Sequence, residues 1–124
     1  MSKLESTVKA EILQAFGSAP NITLFKNDQG QAWLKSPIGF RPYRYGLGAG
    51  TSDLVGWQTI VITPSMVGKK IARFLAAELK AQGGKATPEQ IAFIRTVMNA
   101  GGIGFIARSV QEFESSLALF DEDE

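Results

Sequence analysis

The chain has 124 residues, of which 44% are hydrophobic and 20% are charged, and it contains no cysteine and no histidine. This length accommodates one domain with a hydrophobic core. The missing residue types exclude disulfide bonds, thiolate or imidazole zinc sites, cysteine nucleophiles and any general base built on histidine. Hydrolytic chemistry in this chain would therefore depend on carboxylates, lysine, hydroxyls or a hard metal ion.

Charge is unevenly distributed along the chain. The last four residues are all acidic, so the preceding residues contain 13 basic and 8 acidic side chains. We therefore expect one domain over residues 1–120 and an acidic tail over residues 121–124. A mildly basic body permits a polyanionic partner, and a solubilising tail on an ordinary surface explains the same pattern. No stretch has the length of a membrane helix and the charged N-terminus is unlike a signal peptide, which predicts a cytoplasmic protein without a membrane partner.

The first half of the chain predicts a helix, a hairpin and a loop. Apolar residues recur at helical spacing across residues 3–16, and Ser2 and Glu5 have the spacing of a capping box. The segments "NITLF" and "QAWLK" flank the turn-favouring stretch "KNDQG" and predict a β-hairpin. Residues 36–51 contain two prolines and several glycines, which predict a loop.

The second half predicts two strands, a helix, a strand and a helix. The β-rich segments "DLVGWQTIVIT" and "IARFLAAELKA" predict an antiparallel pair. Thr87, Pro88 and Gln90 supply an N-cap, a first-turn proline and a capping-box partner for the next helix. The strand "GIGFIARS" precedes a last helix that opens with a capping box of Ser109 and Glu112. This order of elements predicts the α/β class, as an α+β mixed β-sheet flanked by helices.

Three charged residues in these β-rich segments form the candidate site. Asp53 follows the glycine-rich turn in "GTSDLVGW", and Glu78 and Lys80 lie two apart in "AAELKAQGG". Glu78 and Lys80 share a face because side chains alternate along a strand. In a hairpin of the two strands, Asp53 lies opposite Lys80, or opposite Glu78 if the register slips by two, and the sequence leaves both registers open.

Oxygen ligands from neighbouring carboxylates favour a hard cation such as Mg²⁺ or Mn²⁺. Magnesium usually fills its other positions with water and phosphate oxygens, which indicates phosphate-ester chemistry. An ammonium group beside such an ion offsets the negative charge that builds on the phosphorus. The three residues therefore predict metal-dependent hydrolysis of a phosphate ester.

An aspartate followed by Glu-x-Lys resembles the motif of the PD-(D/E)xK nuclease superfamily. Within it, "GLGAGTSDLVGW" with "FLAAELKAQGGKATPEQIAFIRTVMNAGGIGFIARS" resembles the VRR-NUC (virus-type replication-repair nuclease) family. The resemblance covers Gly46 to Ser109, just over half of the chain, and implies a restriction-endonuclease-like core. Ser52 stands where the superfamily name has proline, which is the loosest position of the motif.

The resemblance implies a role for each candidate residue. Mg²⁺ or Mn²⁺ would be held by Asp53, Glu78 and the main-chain carbonyl of Leu79, and Glu11 would be an additional ligand or an orienting carboxylate. Lys80 would be the catalytic lysine, and Gln90 would lie near the site at the start of a helix. Structural roles also explain three of these residues. Asp53 is typical of a turn, Glu11 lies beside the apolar face of an amphipathic helix, and Gln90 has the position of a capping-box residue.

The resemblance also implies an endonuclease that hydrolyses DNA phosphodiester bonds. Stand-alone members of the family are dimers related to Holliday-junction resolvases, so we expect a homodimer that cuts branched DNA, encoded by a bacterium or phage. The alternatives are a flap or duplex nuclease of a phage or restriction system, and a non-catalytic nucleic-acid-binding domain.

Cations and aromatic residues outside the motif are candidates for DNA contact. The candidate phosphate contacts are the cations Arg41, Arg44, Lys69, Lys70 and Lys85. Tyr43, Tyr45 and Trp57 are candidates for base stacking, although core packing also explains Trp57. The glycines of "YGLGAGTSD" would let a nucleic-acid backbone approach closely, whereas a dinucleotide fingerprint would follow a strand and open a helix.

Overall fold

The computed structural model describes residues 4–121. Over this range the chain forms three α-helices and six strands in two compact units, the first ending at Ile60 and the second beginning at Val61. The first unit contains α1 (Glu5–Phe16), β1 (Ile22–Lys26), β2 (Gly30–Ser36), β3 (Gly39–Tyr45) and β4 (Leu54–Gln58). The second contains a 3₁₀ turn (Pro64–Met66), β5 (Leu75–Leu79), α2 (Pro88–Asn99), β6 (Ile103–Ala107) and α3 (Val110–Ala118).

In the first unit, β1 pairs antiparallel with β4, and α1 contacts β1. The rings of Phe25 and Trp57, one from each strand, lie 5.6 Å apart and cover part of this sheet. The predicted hairpin between "NITLF" and "QAWLK" is therefore wrong, because the first of these segments pairs with β4 and the second with β3. A local turn signal does not decide which strand becomes the partner.

The segment that was expected to be a loop contains a strand. β2 and β3 form an antiparallel ribbon in which Trp33 lies opposite Pro42. Proline is tolerated in an edge strand, where alternate N–H groups point away from the partner strand. The connecting turn is closed by Ser36 Oγ, which donates to the carbonyl of Gly39 at 2.7 Å, and Gly39 has a φ of 123°. A side chain would strain that backbone, whereas glycine adopts it freely.

In the second unit, β5 pairs parallel with β6, with Leu75 opposite Ile103. Parallel neighbours need a crossover connection, and α2 supplies it. The predicted antiparallel pairing of the segments around Asp53 and Glu78 is wrong, because β4 pairs with β1 and β5 pairs with β6.

The described hydrophobic core lies between α2 and β6. Its buried side chains are Ile94, Val97, Phe105 and Ala107. Two glycines of this region allow the helix to approach closely. A Cβ on Gly102 would lie 2.8 Å from Val97 Cγ1, and a Cβ on Gly104 would lie 3.0 Å from Ile94 Cγ2. The phenyl ring of Phe105 also meets that of Phe113 from α3, edge to face, at 5.1 Å.

The predicted starts of α2 and α3 are confirmed, whereas α1 begins at Glu5 with Leu4 as its N-cap, two residues later than predicted. Thr87 Oγ1 accepts from the N–H of Gln90, and Gln90 Oε1 accepts from the N–H of Thr87. Ser109 Oγ accepts from the N–H of Glu112, but Glu112 Oε1 accepts from the N–H of Arg108 rather than closing the expected box. The Ser2 half of the first capping box lies outside the described residues.

Helices combined with parallel and antiparallel strand pairs confirm the predicted α+β class. Over residues 4–121 the strands are paired two by two. In the same range, every helix is too short or too polar to cross a bilayer. Residues 122–124 of the predicted acidic tail lie outside the described range.

Candidate active site

Glu78 and Lys80 lie at the carboxyl end of β5. Their side chains share a face, as strand alternation predicts, and Lys80 Nζ lies 3.8 Å from Glu78 Oε2. The Lys80 side chain is 21% exposed and that of Glu78 is 30% exposed. The N–H of Lys80 donates to the carbonyl of Ala107 at 3.1 Å, so the parallel ladder extends to this residue. A partly desolvated carboxylate and ammonium are thus fixed on hydrogen-bonded backbone.

A cleft of about 500 Å³ lies beside β5 and the first turns of α2. Five apolar and three polar residues line it: Leu75, Ala76, Ala77, Phe93 and Ile94, with Glu78, Glu89 and Gln90. Two predicted site residues, Glu78 and Gln90, therefore share one cleft. The sequence did not identify Glu89 as a cleft residue. Its one signal is its position in the first turn of α2, where the helix dipole favours a carboxylate.

Gln90 lines the cleft and also has a structural role in capping α2. Its side-chain oxygen lies 2.9 Å from the N–H of Thr87 and completes the capping box. The capping explanation for this residue is therefore confirmed. A role in chemistry stays a prediction and would rest on the amide nitrogen of the same side chain.

Asp53 and Glu11 belong to the first unit, whereas Glu78, Lys80 and Gln90 belong to the second. Asp53 is exposed and lies in a bend directly before β4. Its carbonyl accepts from the N–H of Asn27 at 2.9 Å, which extends the β1–β4 pairing to this position. Glu11 lies on the exposed side of α1.

Asn27 holds the loop that precedes Asp53, and the sequence interpretation missed it. Its side chain is buried, with a residue exposure of 8%. Asn27 Nδ2 donates to Thr51 Oγ1 at 2.9 Å and to the carbonyl of Ser52 at 2.8 Å, while Asn27 Oδ1 accepts from the N–H of Leu47 at 2.9 Å. We call this arrangement the Asn27 clamp. An asparagine beside a turn sequence was its one signal, and that signal does not distinguish a turn residue from a buried one.

The candidate DNA contacts divide between exposed and packed side chains. The cations are exposed: Arg41, Arg44, Lys69, Lys70 and Lys85. Tyr43 is 53% exposed and Tyr45 is 44% exposed, whereas Trp57 is half-buried against Phe25. Packing against Phe25 therefore explains the aromatic residue at position 57, and the two tyrosines remain candidates for base stacking.

The donor chemistry of the site fits a hard divalent cation. Glu78 and Glu89 offer carboxylate oxygens on the cleft, and carboxylates are the side chains that Mg²⁺ and Mn²⁺ prefer. Within residues 4–121 no three acidic side chains are grouped as a complete metal cage. Mg²⁺ does not require one, because it usually binds one or two carboxylates and takes its remaining ligands from water and phosphate.

An α+β fold with a carboxylate and lysine two apart on a strand, beside the start of a helix, is that of a PD-(D/E)xK nuclease-like protein. The sequence model for the VRR-NUC domain matches residues 8–111, most of the chain, and the chain therefore belongs to the VRR-NUC family. Membership implies a nuclease-type function and DNA binding. No curated protein and no solved structure matches the chain.

Proposed function

We propose that the chain is a metal-dependent endonuclease that hydrolyses DNA phosphodiester bonds. One observation carries the proposal: Lys80 forms an ion pair with Glu78, a cleft-lining residue, in a chain of the VRR-NUC family. Glutamate and lysine two apart occur on many solvated strands. Partial burial of both side chains distinguishes this pair from one on a solvated strand, because a partly buried charge without a partner costs free energy.

In this proposal Mg²⁺ or Mn²⁺ is held by oxygens of Asp53, Glu78, Glu11 and Leu79, the last through its main-chain carbonyl. The ion supplies Lewis acidity, which polarises the phosphate group and lowers the pKa of water. The Lys80 ammonium offsets negative charge that develops on the phosphorus, and its 21% exposure strengthens that interaction relative to water. Gln90 contributes through its amide nitrogen, because its oxygen caps α2.

The substrate in this proposal is branched DNA, and the active form is a homodimer in the cytoplasm. Two symmetric cuts need two active sites, and one chain over residues 1–120 offers one. Phosphates would be contacted by the exposed cations Arg41, Arg44, Lys69, Lys70 and Lys85. The acidic tail, residues 121–124, would lie outside this catalytic domain.

Cleavage of labelled four-way junction, flap, linear duplex and single-stranded DNA in Mg²⁺ or Mn²⁺ tests the proposal. Lys80→Ala should lower the cleavage rate at least about 100-fold, because it removes a group that acts in the transition state. Binding of the same junction should change less than about 2-fold. Lys26→Ala removes the same charge from an exposed strand position and should leave cleavage intact. Full cleavage by Lys80→Ala would refute the assignment.

Metal binding gives a second measurement on the same site. Calorimetric titration with Mn²⁺ should detect binding in the wild type and lose it in Asp53→Ala and in Glu78→Gln. Equal Mn²⁺ binding in all three proteins would exclude a metal site built from these two carboxylates. Cuts confined to the junction would support the resolvase role, and equal cutting of flap or duplex would keep the nuclease and remove that role.

A further inference from the structure

The ribbon of β2 and β3 has two faces that differ in composition. Side chains alternate along each strand, and directly paired residues of antiparallel strands point to the same side. The register therefore places six residues on one side: Gln31, Trp33, Lys35, Phe40, Pro42 and Arg44. We call this side the aromatic face. The other side carries the remaining residues of the ribbon, among them Tyr43 and Tyr45.

The large side chains of the aromatic face are more exposed than those of the other side of the ribbon, where Leu34 is 51%, Tyr43 53% and Tyr45 44% exposed. Trp33 is 63% exposed and Phe40 is 69% exposed. The residues of β2 that are half-buried, Gly30, Ala32 and Ser36, all lie on the opposite side. There the Tyr45 side chain covers Gly30, where even a Cβ would clash with the ring. Large apolar rings thus face water on one side while the other side is partly packed.

The charged side chains of the ribbon itself are all positive. From Gln29 to Ser52 the sequence has three cations and no carboxylate. Two of the cations, Lys35 and Arg44, lie on the aromatic face, at opposite ends of the ribbon with Trp33 between them. Phe40 lies directly opposite Lys35 and diagonally from Trp33, a separation that aromatic side chains can span. Exposed rings between two cations are complementary to a nucleic acid, in which each nucleotide carries a negative phosphate and a flat base.

We propose that the aromatic face binds single-stranded DNA. Unpaired bases stack on Trp33 and Phe40, and Lys35 and Arg44 contact the phosphates. A base inside a duplex is already stacked on both sides and cannot use such rings, so the face selects DNA that contains an unpaired segment. The inference rests on the proposed function only for the statement that this DNA is the nuclease substrate.

A second copy of the chain is the competing occupant of this face. A two-fold contact between two aromatic faces would bring Lys35 and Arg44 of both copies together with no carboxylate on the face to pair with them. Like charges at close range oppose association. Charge complementarity therefore favours DNA over self-association.

Metal-free binding measurements test the proposal without any cleavage. In EDTA, fluorescence anisotropy should show tighter binding of a labelled 20-nucleotide oligothymidine than of a 20-base-pair duplex. Trp33→Ala should weaken oligothymidine binding by roughly 5-fold to 150-fold, the effect of losing one stacked base. Trp33→Phe keeps a ring and should restore most of the affinity. Leu34→Ala, which truncates an apolar side chain of 51% exposure on the other side of the ribbon, should change the affinity less than about 2-fold.

The cations give an independent measurement. The double variant Lys35→Ala with Arg44→Ala should flatten the plot of log affinity against log salt by a slope of about 1.4, the value for two phosphate contacts on a single strand. An unchanged slope would remove these side chains from the interface. Circular dichroism of each variant should match that of the wild type.

Several outcomes would overturn the inference. These are unchanged affinity in Trp33→Ala, an equal loss in Leu34→Ala, or tighter binding of the duplex than of oligothymidine. Sedimentation that shows Trp33→Ala turning a dimer into a monomer with oligothymidine binding intact would assign the face to a second copy. Oligothymidine binding is measured in EDTA and needs no cleavage, so failure of the nuclease assignment and failure of the aromatic face are separate results.

Discussion

The two units of the chain have interiors of different kinds. Among residues 4–121, the buried hydrophobic side chains all lie in the second unit, whereas the buried polar side chain is Asn27 in the first. In the second unit a helix packs on parallel strands, and apolar contact fixes the strand that carries Glu78 and Lys80. In the first unit hydrogen bonds fix the loop before Asp53. The loop before Asp53 and the strand that carries Glu78 and Lys80 thus depend on different forces.

Truncation in the apolar interior should have the largest effect on stability. Phe105→Ala removes a ring that is 9% exposed and packs against Phe113, so we expect a loss of about 3–5 kcal/mol in the free energy of unfolding. Urea denaturation measures this loss. Phe105→Leu should cost about 1 kcal/mol. Phe40→Ala, at a 69% exposed position, should cost less than about 0.5 kcal/mol, and similar losses at the two phenylalanines would contradict the assigned core.

Breaking the Asn27 clamp should have an intermediate effect. Asn27→Ala removes three side-chain hydrogen bonds and leaves the N–H of Leu47 without its acceptor, which we expect to cost about 2–3 kcal/mol. Amide hydrogen exchange at Leu47 should become faster. Asn99→Ala, at the exposed end of α2, is the matched control and should leave both quantities nearly unchanged. Unaltered exchange at Leu47 in Asn27→Ala would show that the clamp does not hold this loop.

Loss of the α2 cap should have the smallest of the three effects. Thr87→Ala removes the acceptor for the N–H of Gln90 and should lower the free energy of unfolding by about 1 kcal/mol. Thr87→Ser should retain most of that stability. Thr96→Ala deletes a hydroxyl that bonds the carbonyl of Ala92 inside the same helix, and chemical denaturation should find it neutral or slightly stabilising. A larger loss at Thr96 than at Thr87 would contradict the importance of the cap.

Features set by neighbours in sequence were predictable. The capping box of Thr87 and Gln90 depends on residues three apart, and the shared face of Glu78 and Lys80 depends on strand alternation. Both follow from backbone geometry within a few residues. The family motif also depends on order along the chain, with Asp53 first and then Glu78 and Lys80, and this order is read without knowledge of strand pairing.

Features set by distant partners were not predictable. Pro42 reads as a strand breaker, and pairing with Trp33 at an edge overrides that signal. The partners of β4 and β5 lie far along the chain, and nothing local selects them over an adjacent segment. Asn27 was missed for the same reason, because its three hydrogen bonds reach residues at least 20 positions away.

The backbone pairing next to the Asn27 clamp also affects which parts of the sequence can change during evolution. Lys26 pairs with Leu54, and the N–H of Asn27 meets the carbonyl of Asp53, so the two ends of residues 28–52 are held side by side. The ribbon is in effect an insertion closed at its base. Its length and composition can change while the β1–β4 ladder stays the same, because loop closure costs little more for a longer segment than for a shorter one. The aromatic face proposed above to bind DNA lies within this segment, so it can change while Asp53 keeps its position beside Asn27.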